Sequence, residues 1–218
     1  MSTQEIIDNE SQGILEEASA WIPKNATDIL RLTSVMMIGN TMLNERESTF
    51  KKAVAYGEAA VKADFNNSNA HTFLAASYGS YAMFIGGREK VKLANRVRDE
   101  LEIALKLNPD NNIAHSVYGS WHRAVADVSW IGRKLANAFL GGFPQGSIIE
   151  AIDHLQQAIR IAPNVLQHHY ELALAYLDAN RKDLAIESLE TALHCPLSLQ
   201  SDAKRKIDAQ KLLSELKF

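Results

Sequence analysis

Histidine is the residue type in this sequence most able to bind a metal, because seven histidines occur in 218 residues. His168 and His169 are adjacent and therefore project from different sides of a helix. His115 and His122 are seven residues apart, which is about two helical turns. Two histidines that chelate a metal from one helix usually lie four residues apart. The spacing therefore predicts no metal site.

The single cysteine and the glycines show no catalytic pattern. Cys195 lies between His194 and Pro196, and adjacency in sequence does not supply the spatial base that a thiolate mechanism needs. The glycine spacing matches neither the dinucleotide fingerprint nor the phosphate loop. We therefore expect a non-enzymatic protein with no catalytic residue and no cofactor. A lone cysteine favours a reducing compartment, so we expect the cytoplasm, with the periplasm as the alternative if a leader was removed.

The composition favours long helices and gives no global attraction for polyanions. Hydrophobic residues make up 46% of the chain, glycine and proline are sparse, and the formal net charge is −3. We therefore expect no nucleic-acid partner. The longest uncharged stretch, 65–87, contains many polar side chains, so we also expect no integral membrane segment. One local basic stretch is interpreted as a solvated helix face: Arg88, Lys90, Lys92, Arg96 and Arg98.

A repeated stripe indicates the helices that carry these side chains. Four segments place a small residue, a second residue four positions later, an alanine three positions after that, and a helix-breaking position five further on. Offsets of four and three fall on one side of a helix, so each segment is predicted to be the second helix of a hairpin. The members are Ala53, Gly57, Ala60 and Phe65; Val97, Leu101, Ala104 and Pro109; Ala151, Leu155, Ala158 and Pro163; and Ala185, Leu189, Ala192 and Leu197.

A second pattern has the spacing of the first-helix signature W-x2-L-G-x2-Y of tetratricopeptide repeats. Its small third member predicts a close approach of the neighbouring helix, and the histidine at its first position is interpreted as a packing residue in place of tryptophan. The members are His71, Leu74, Ala75 and Tyr78; His115, Tyr118, Gly119 and His122; and His169, Leu172, Ala173 and Tyr176.

The intervals between the two patterns locate two insertions. The interval is nine residues in the fourth repeat (176–185), 19 in the second (78–97) and 29 in the third (122–151). Insertions of 10 and 20 residues therefore separate the two helices of the second and third repeats.

These patterns predict an all-α fold, a tetratricopeptide-like right-handed α-solenoid of about four helical hairpins with two intra-repeat helical insertions and helical caps. We expect a single domain over 1–218 that is a monomer or a weak homodimer. Its N-terminal helix either caps the first hairpin or pairs with its copy. The predicted segments are an N-terminal helix at 1–24, a first hairpin at 25–66, repeats at 67–110, 111–164 and 165–198, and a capping helix at 199–218.

Four segments also carry a family resemblance. These are GREKVKLANRVRDELEIALKLNP from Gly87, HSVYGSW from His115, VSWIGRKLANAFLGGFP from Val128, and the repeat that ends at Pro163. In this order they resemble the regulator of microtubule dynamics family of tetratricopeptide proteins, including its bacterial relatives, over about 25–213. The resemblance implies a soluble helical domain with interaction roles. Animal members are associated with microtubules and with mitochondrial or endoplasmic membrane contacts, but we expect a bacterial member.

Tetratricopeptide proteins bind extended or helical segments in a concave groove lined by the first helices. We therefore predict that an unknown protein or peptide binds there. Arg123 would be the main cation, able to pair with a carboxylate of the partner. The expected positions hold no lysine, so we predict weak binding of acidic chaperone tails. The predicted lining residues are Asn69, Thr72, Ala76, Ser116, Ser120, Arg123, Gln167, Tyr170 and Leu174.

The larger insertion offers a second candidate surface. Trp130 and Phe139 lie on a predicted amphipathic helix that either covers the protein's own groove or contacts a partner or a membrane interface. The function that best fits the sequence is a non-catalytic protein-protein interaction scaffold or adaptor. The alternative is a small-ligand or lipid receptor in which the insertions close a pocket over the groove.

Overall fold

The computed structural model describes residues 43–128, 142, 144–198 and 201–217. These residues form eight α-helices and no strand. None of the eight is both long enough and apolar enough to span a bilayer. The helices are α1 (Leu43–Ala63), α2 (Ser68–Phe84), α3 (Gly87–Leu107), α4 (Asn112–Ala126), α5 (Ile148–Ile161), α6 (Leu166–Asp178), α7 (Lys182–His194) and α8 (Asp202–Lys217).

The helices belong to two compact units that divide between Leu107 and Asn108. In the first unit, α2 packs against both α1 and α3. In the second unit, α4 packs against α5, and α6 packs against α5 and α7. The last helix, α8, packs against α7 and α6. Within each unit, packing between helices that follow one another in sequence confirms the predicted all-α hairpin architecture.

The predicted second-helix stripes form the core of both units. The members that precede the helix-breaking positions are buried; Val97, for example, has only 2% of its surface accessible. By contrast, the helix-breaking residues Phe65 and Leu197 are 62% and 56% exposed, because they lie in turns between hairpins. Burial of a leucine such as Leu155 contributes about 1.5–3 kcal/mol relative to its exposure. The fully buried members are Ala53, Ala60, Leu101, Ala104, Ala151, Leu155, Ala158, Ala185, Leu189 and Ala192.

The small residue of the first-helix pattern permits the close contact that was predicted at Gly119. A Cβ atom there would lie 2.5 Å from Cγ of Leu155 and 3.0 Å from the carbonyl oxygen of Ala151. In the first unit, Gly57 on α1 gives α2 the same access, since a Cβ there would lie 3.0 Å from Cα of Leu74. The backbones therefore approach each other more closely than alanine would allow.

Asparagine caps fix the start of two first helices. The side chain of Asn67 accepts hydrogen bonds from the backbone N–H groups of Asn69 and Ala70, 3.0 and 3.2 Å away. At the same repeat position, the side chain of Asn111 accepts from the N–H of Ala114 at 3.0 Å. Each cap satisfies N–H groups that the helix itself leaves unpaired, which stabilises the helix by about 1 kcal/mol.

The ten-residue insertion of the second repeat lengthens both helices of its hairpin. The helices α2 and α3 contain 17 and 21 residues, whereas α6 and α7 contain 13 each. Gly87 begins α3 in the left-handed conformation, with φ of +64°, which glycine adopts without steric strain. The predicted N-terminal helix at 1–24 and the candidate contacts Trp130 and Phe139 lie outside the described residues.

Candidate partner-binding face

The nine side chains predicted to line a groove are divided between the two units. Asn69, Thr72 and Ala76 lie on α2 of the first unit, and Asn69 is exposed whereas Ala76 is half-buried. The other six lie on α4 and α6 of the second unit. Five of these six are partly accessible: Ser120, Arg123, Gln167, Tyr170 and Leu174.

The prediction was wrong for Thr72 and Ser116, which are 0% and 1% exposed. Thr72 lies on α2, which packs between α1 and α3 and is therefore buried around most of its circumference. Its hydroxyl donates to the carbonyl oxygen of Ser68 at 2.8 Å. Ser116 lies on α4, which contacts both α5 and α6. Helices with two packed neighbours bury a wider arc than a single apolar stripe requires, so neither side chain faces a partner.

Arg123 is the centre of a hydrogen-bond network between α4 and α6. Its Nε atom donates to Oδ2 of Asp178 at 2.7 Å, and one of its terminal nitrogens donates to Oε2 of Glu171 at 3.1 Å. The hydroxyl of Ser120 donates to the same Oε2 atom at 3.0 Å. The predicted role of Arg123 must therefore be corrected, because the carboxylates that pair with it belong to the chain itself.

The accessible side chains around this network form one continuous surface. Gln167, Tyr170, Leu174 and Asp178 follow one another at offsets of three and four, so they lie on one side of α6. We call this surface the α4–α6 face; its residues are Ser120, Arg123, Gln167, Tyr170, Glu171, Leu174 and Asp178.

The phenol of Tyr170 reports the electrostatic character of this face. Burial is the largest cause that raises the pKa of Tyr170, and the carboxylates of Asp208 and Glu171 raise it further. The guanidinium groups of Arg123 and Arg205 act in the opposite direction and have the smaller effect. Formation of the negatively charged phenolate is therefore disfavoured at Tyr170.

The three histidines of the first-helix pattern, which we interpreted as packing residues, also contact backbone carbonyl groups in the turns between hairpins. A ring nitrogen, Nε2, contacts the backbone carbonyl oxygen of the residue six positions earlier in each case. The distances are 2.9 Å for His71 to Phe65, 2.9 Å for His115 to Pro109 and 2.7 Å for His169 to Pro163. The sequence contained the signal, because each histidine lies six residues after a helix-breaking position.

A cluster of histidine and aromatic rings joins α4 to α5. Nδ1 of His115 lies 2.9 Å from Nδ1 of His154, and the ring centroids are 5.2 Å apart, so the two nitrogens point at each other as in an N–H···N hydrogen bond. Since Nε2 of His115 faces a carbonyl oxygen, His154 donates the proton of this bond. The ring of His122 stacks against His154 with centroids 5.6 Å apart, and the tilted ring of Tyr118 lies 4.6 Å from His154.

Burial controls the titration of this histidine cluster. It lowers the pKa of His154 to about 4, and the neighbouring His115 and His122 contribute in the same direction. Burial also lowers the pKa of His115 and of His122. Neutral imidazoles can bind metals, but within the described ranges no group of three or more His, Cys, Asp or Glu side chains is arranged to hold an ion. The cluster therefore acts as a hydrogen-bonded and stacked contact between two helices.

Three cations of the basic stretch on α3 pair with acids, as expected for a solvated helix face. Lys92 pairs with Glu89 at 2.7 Å, and Arg98 pairs with Asp99 at 2.7 Å. Arg96 contacts Glu58 of α1 at 3.6 Å and also lies over the ring of Tyr78, 5.3 Å from its centroid.

Cys195 is buried, and burial raises the pKa of its thiol, so it is a poor nucleophile.

Comparisons with known proteins agree with this architecture. The family model described as "Regulator of microtubule dynamics protein 1-3" matches residues 8–217. Regulator of microtubule dynamics protein 2 of Homo sapiens is 26% identical over 161 residues, which cover 73% of this chain and 39% of that protein. Regulator of microtubule dynamics protein 1 of Mus musculus is 24% identical over 183 residues, which cover 84% of this chain and 60% of that protein. The chain thus spans about half the length of these curated relatives.

Among solved structures, the crystal structure of a thermophilic TPR protein of Thermus thermophilus superposes with a TM-score of 0.65 at 17% identity. The match covers 93% of this chain and 87% of that chain. A likeness at this identity shows the fold, and it confirms the predicted tetratricopeptide-like solenoid class.

Proposed function

The chain belongs to the regulator of microtubule dynamics protein 1-3 family, and we propose that it is a non-catalytic scaffold that binds a segment of another protein along the α4–α6 face. Tetratricopeptide-like domains commonly bind extended or helical segments on the surface formed by their first helices. In the second unit, the first helices of the two hairpins are α4 and α6.

The observation that carries this proposal is the combination of accessibility and order on the α4–α6 face. Tyr170 and Leu174 on α6 remain partly exposed, whereas the apolar stripes on the second helices are buried. Beside them, Arg123 is held by two carboxylates of α6. Side chains that are already fixed lose little conformational entropy when a partner binds, so such a surface is preorganised for binding.

The chemistry of the described side chains supports a non-catalytic role. Nε2 atoms of three histidines are engaged by backbone carbonyl oxygens. The thiol of Cys195 is buried, and its pKa is raised rather than lowered. A nucleophile or general base needs an accessible and activated group, so we assign the face to binding.

A pair of leucine variants tests the proposed face. Leu174→Asp places a charge on the face, whereas Leu184→Asp places the same charge on α7, where Leu184 is 36% exposed. Circular dichroism first checks that both variants are folded. The two variants and the wild type are then used to capture partners from the source cell. We expect Leu174→Asp to lose the wild-type partners and Leu184→Asp to retain them. Identical partners for all three proteins would overturn the assignment of the face.

A further inference from the structure

The arrangement of charges on the α4–α6 face points to a partner of specific chemistry: we infer that the bound segment presents a lysine or arginine side chain beside Tyr170, toward the carboxylates of Glu171, Asp178 and Asp208. This inference rests on the proposed scaffold function and adds the sign of the partner's charge. It reverses the sequence-based expectation that Arg123 would pair with a carboxylate of the partner.

The first step is that Arg123 has little capacity left for an anion. Its guanidinium already bridges Glu171 and Asp178, and its side chain is only 18% exposed. An incoming carboxylate would have to compete with two carboxylates that are held in place by the fold. It would also be repelled by both of them.

The second step is that the neighbouring cation is also engaged. Arg205 on α8 lies 3.5 Å from Oδ1 of Asp202, a carboxylate with no exposed surface. Asp208 lies three residues further along α8, which packs against α6, and its carboxylate raises the pKa of Tyr170. Both guanidiniums near Tyr170, those of Arg123 and Arg205, thus already have carboxylate partners within the chain.

The third step is that acceptor atoms remain open on this surface. Within the described part of the chain, Glu171 and Asp178 each use one carboxylate oxygen in the Arg123 network. The second oxygen of each, together with the carboxylate of Asp208, can accept hydrogen bonds from a donor-rich side chain. An ammonium or guanidinium group supplies several donors and the compensating charge.

The fourth step is the apolar surface beside these acceptors. Tyr170 and Leu174 are half-buried and lie one turn apart on α6. The methylene stem of a lysine or arginine can cover such surface while its charged end reaches the carboxylates. A cation over the ring of Tyr170 would gain a further electrostatic attraction. Glutamate or aspartate in the same position would gain neither contribution.

A random array of short synthetic peptides tests the inference with the full chain. We expect the selected binders to be enriched in lysine or arginine at one position. Replacement of that residue by glutamine should weaken binding about fivefold to tenfold. The affinity should also fall as sodium chloride is raised from about 0.05 to about 0.3 M. Binders without a preferred cation, or with a preferred acid, would overturn the inference but leave the scaffold function standing.

Two conservative variants assign the effect to the face. Asp208→Asn removes a charge beside Tyr170, and Glu187→Gln removes a charge from an exposed position on α7. We expect Asp208→Asn to weaken the cationic binders and Glu187→Gln to leave them unchanged. Equal affinities for both variants and the wild type would contradict the assignment. If no peptide in the array binds the wild-type chain, or if the binders retain their affinity for the Leu174→Asp variant, the proposed function itself fails.

Discussion

The Nε atom of Arg123 donates a hydrogen bond to Oδ2 of Asp178 over 2.7 Å, although the two residues are 55 positions apart in sequence. This bond joins the C-terminal end of α4 to the C-terminal end of α6, and Glu171 provides a second connection at 3.1 Å. The Arg123 network therefore joins the two first helices of the second unit. It also determines which charged groups on the α4–α6 face are already paired within the chain.

Removal of this bridge should destabilise the protein more than removal of a surface ion pair. Arg123→Ala leaves Glu171 and Asp178 without their cation, and Arg123 and Glu171 are only 18% and 17% exposed. We expect the free energy of unfolding in urea to fall by about 1–3 kcal/mol. Lys217→Ala, which removes a pair with Glu190 that is 48% exposed on both sides, should cost at most about 0.5 kcal/mol. Equal losses would show that the bridge is not a significant contact between α4 and α6.

The close contact at Gly119 should not tolerate a side chain. In Gly119→Ala the new Cβ would lie 2.5 Å from Cγ of Leu155, so α4 and α5 must separate or Leu155 must move. We expect a loss of about 1–3 kcal/mol in the free energy of unfolding. Gly79→Ala is the matched control, because its Cβ would meet only Val97 at 3.9 Å and alanine favours the helix by about 1 kcal/mol. A neutral result for Gly119→Ala would mean that the two helices are less tightly packed than described.

Much of the helical core could be predicted because burial follows directly from periodicity. A small residue, a bulky residue and an alanine at offsets of four and three must lie on one side of a helix, and Ala151, Leu155 and Ala158 are indeed fully buried. The tight contact at Gly119 could be predicted for the same reason, since the pattern demands a small residue where a neighbouring helix approaches.

The candidate site was less predictable, because it depends on contacts between helices that are distant in sequence. The burial of Thr72 follows from the presence of helices on both sides of α2, which a periodicity within one helix does not encode. The partners of Arg123 lie 48 and 55 residues away, so the sequence alone could not show that they neutralise it. The sequence therefore indicated a cation at Arg123 but not the two carboxylates of the chain that pair with it.

The histidine bonds to the turns should contribute measurably to stability. His71 has no exposed surface, and its nitrogens contact Oε2 of Glu100 at 2.6 Å and the carbonyl oxygen of Phe65 at 2.9 Å. His71→Phe keeps a ring of similar size but leaves both acceptors unpaired, so we expect a loss of about 1–3 kcal/mol, measured by urea denaturation. His194→Phe at an exposed position of α7 serves as the control and should change little. A neutral His71→Phe would contradict a role of these bonds beyond packing.

Acid should destabilise the second unit before the carboxylates titrate fully, because two of its histidines remain neutral when folded. Burial lowers the pKa of both His154 and His168 from the ordinary value of 6.5 to about 4. Nε2 of His168 lies 3.0 Å from Oδ1 of Asn112, and its Nδ1 is buried without a hydrogen-bond partner among the described residues. A proton on Nδ1 would therefore be left without an acceptor there.

Since the unfolded chain binds these protons at a higher pH than the folded chain, the stabilisation is complete above the unfolded pKa of 6.5 and decreases as the pH falls toward 4. Melting temperatures measured between these pH values should fall with decreasing pH. The variants His154→Gln and His168→Gln should each flatten this dependence, and their combination should flatten it further. Glutamine keeps a donor for Asn112 but does not titrate. A double variant with the same pH dependence as the wild type would show that other groups cause the loss of stability.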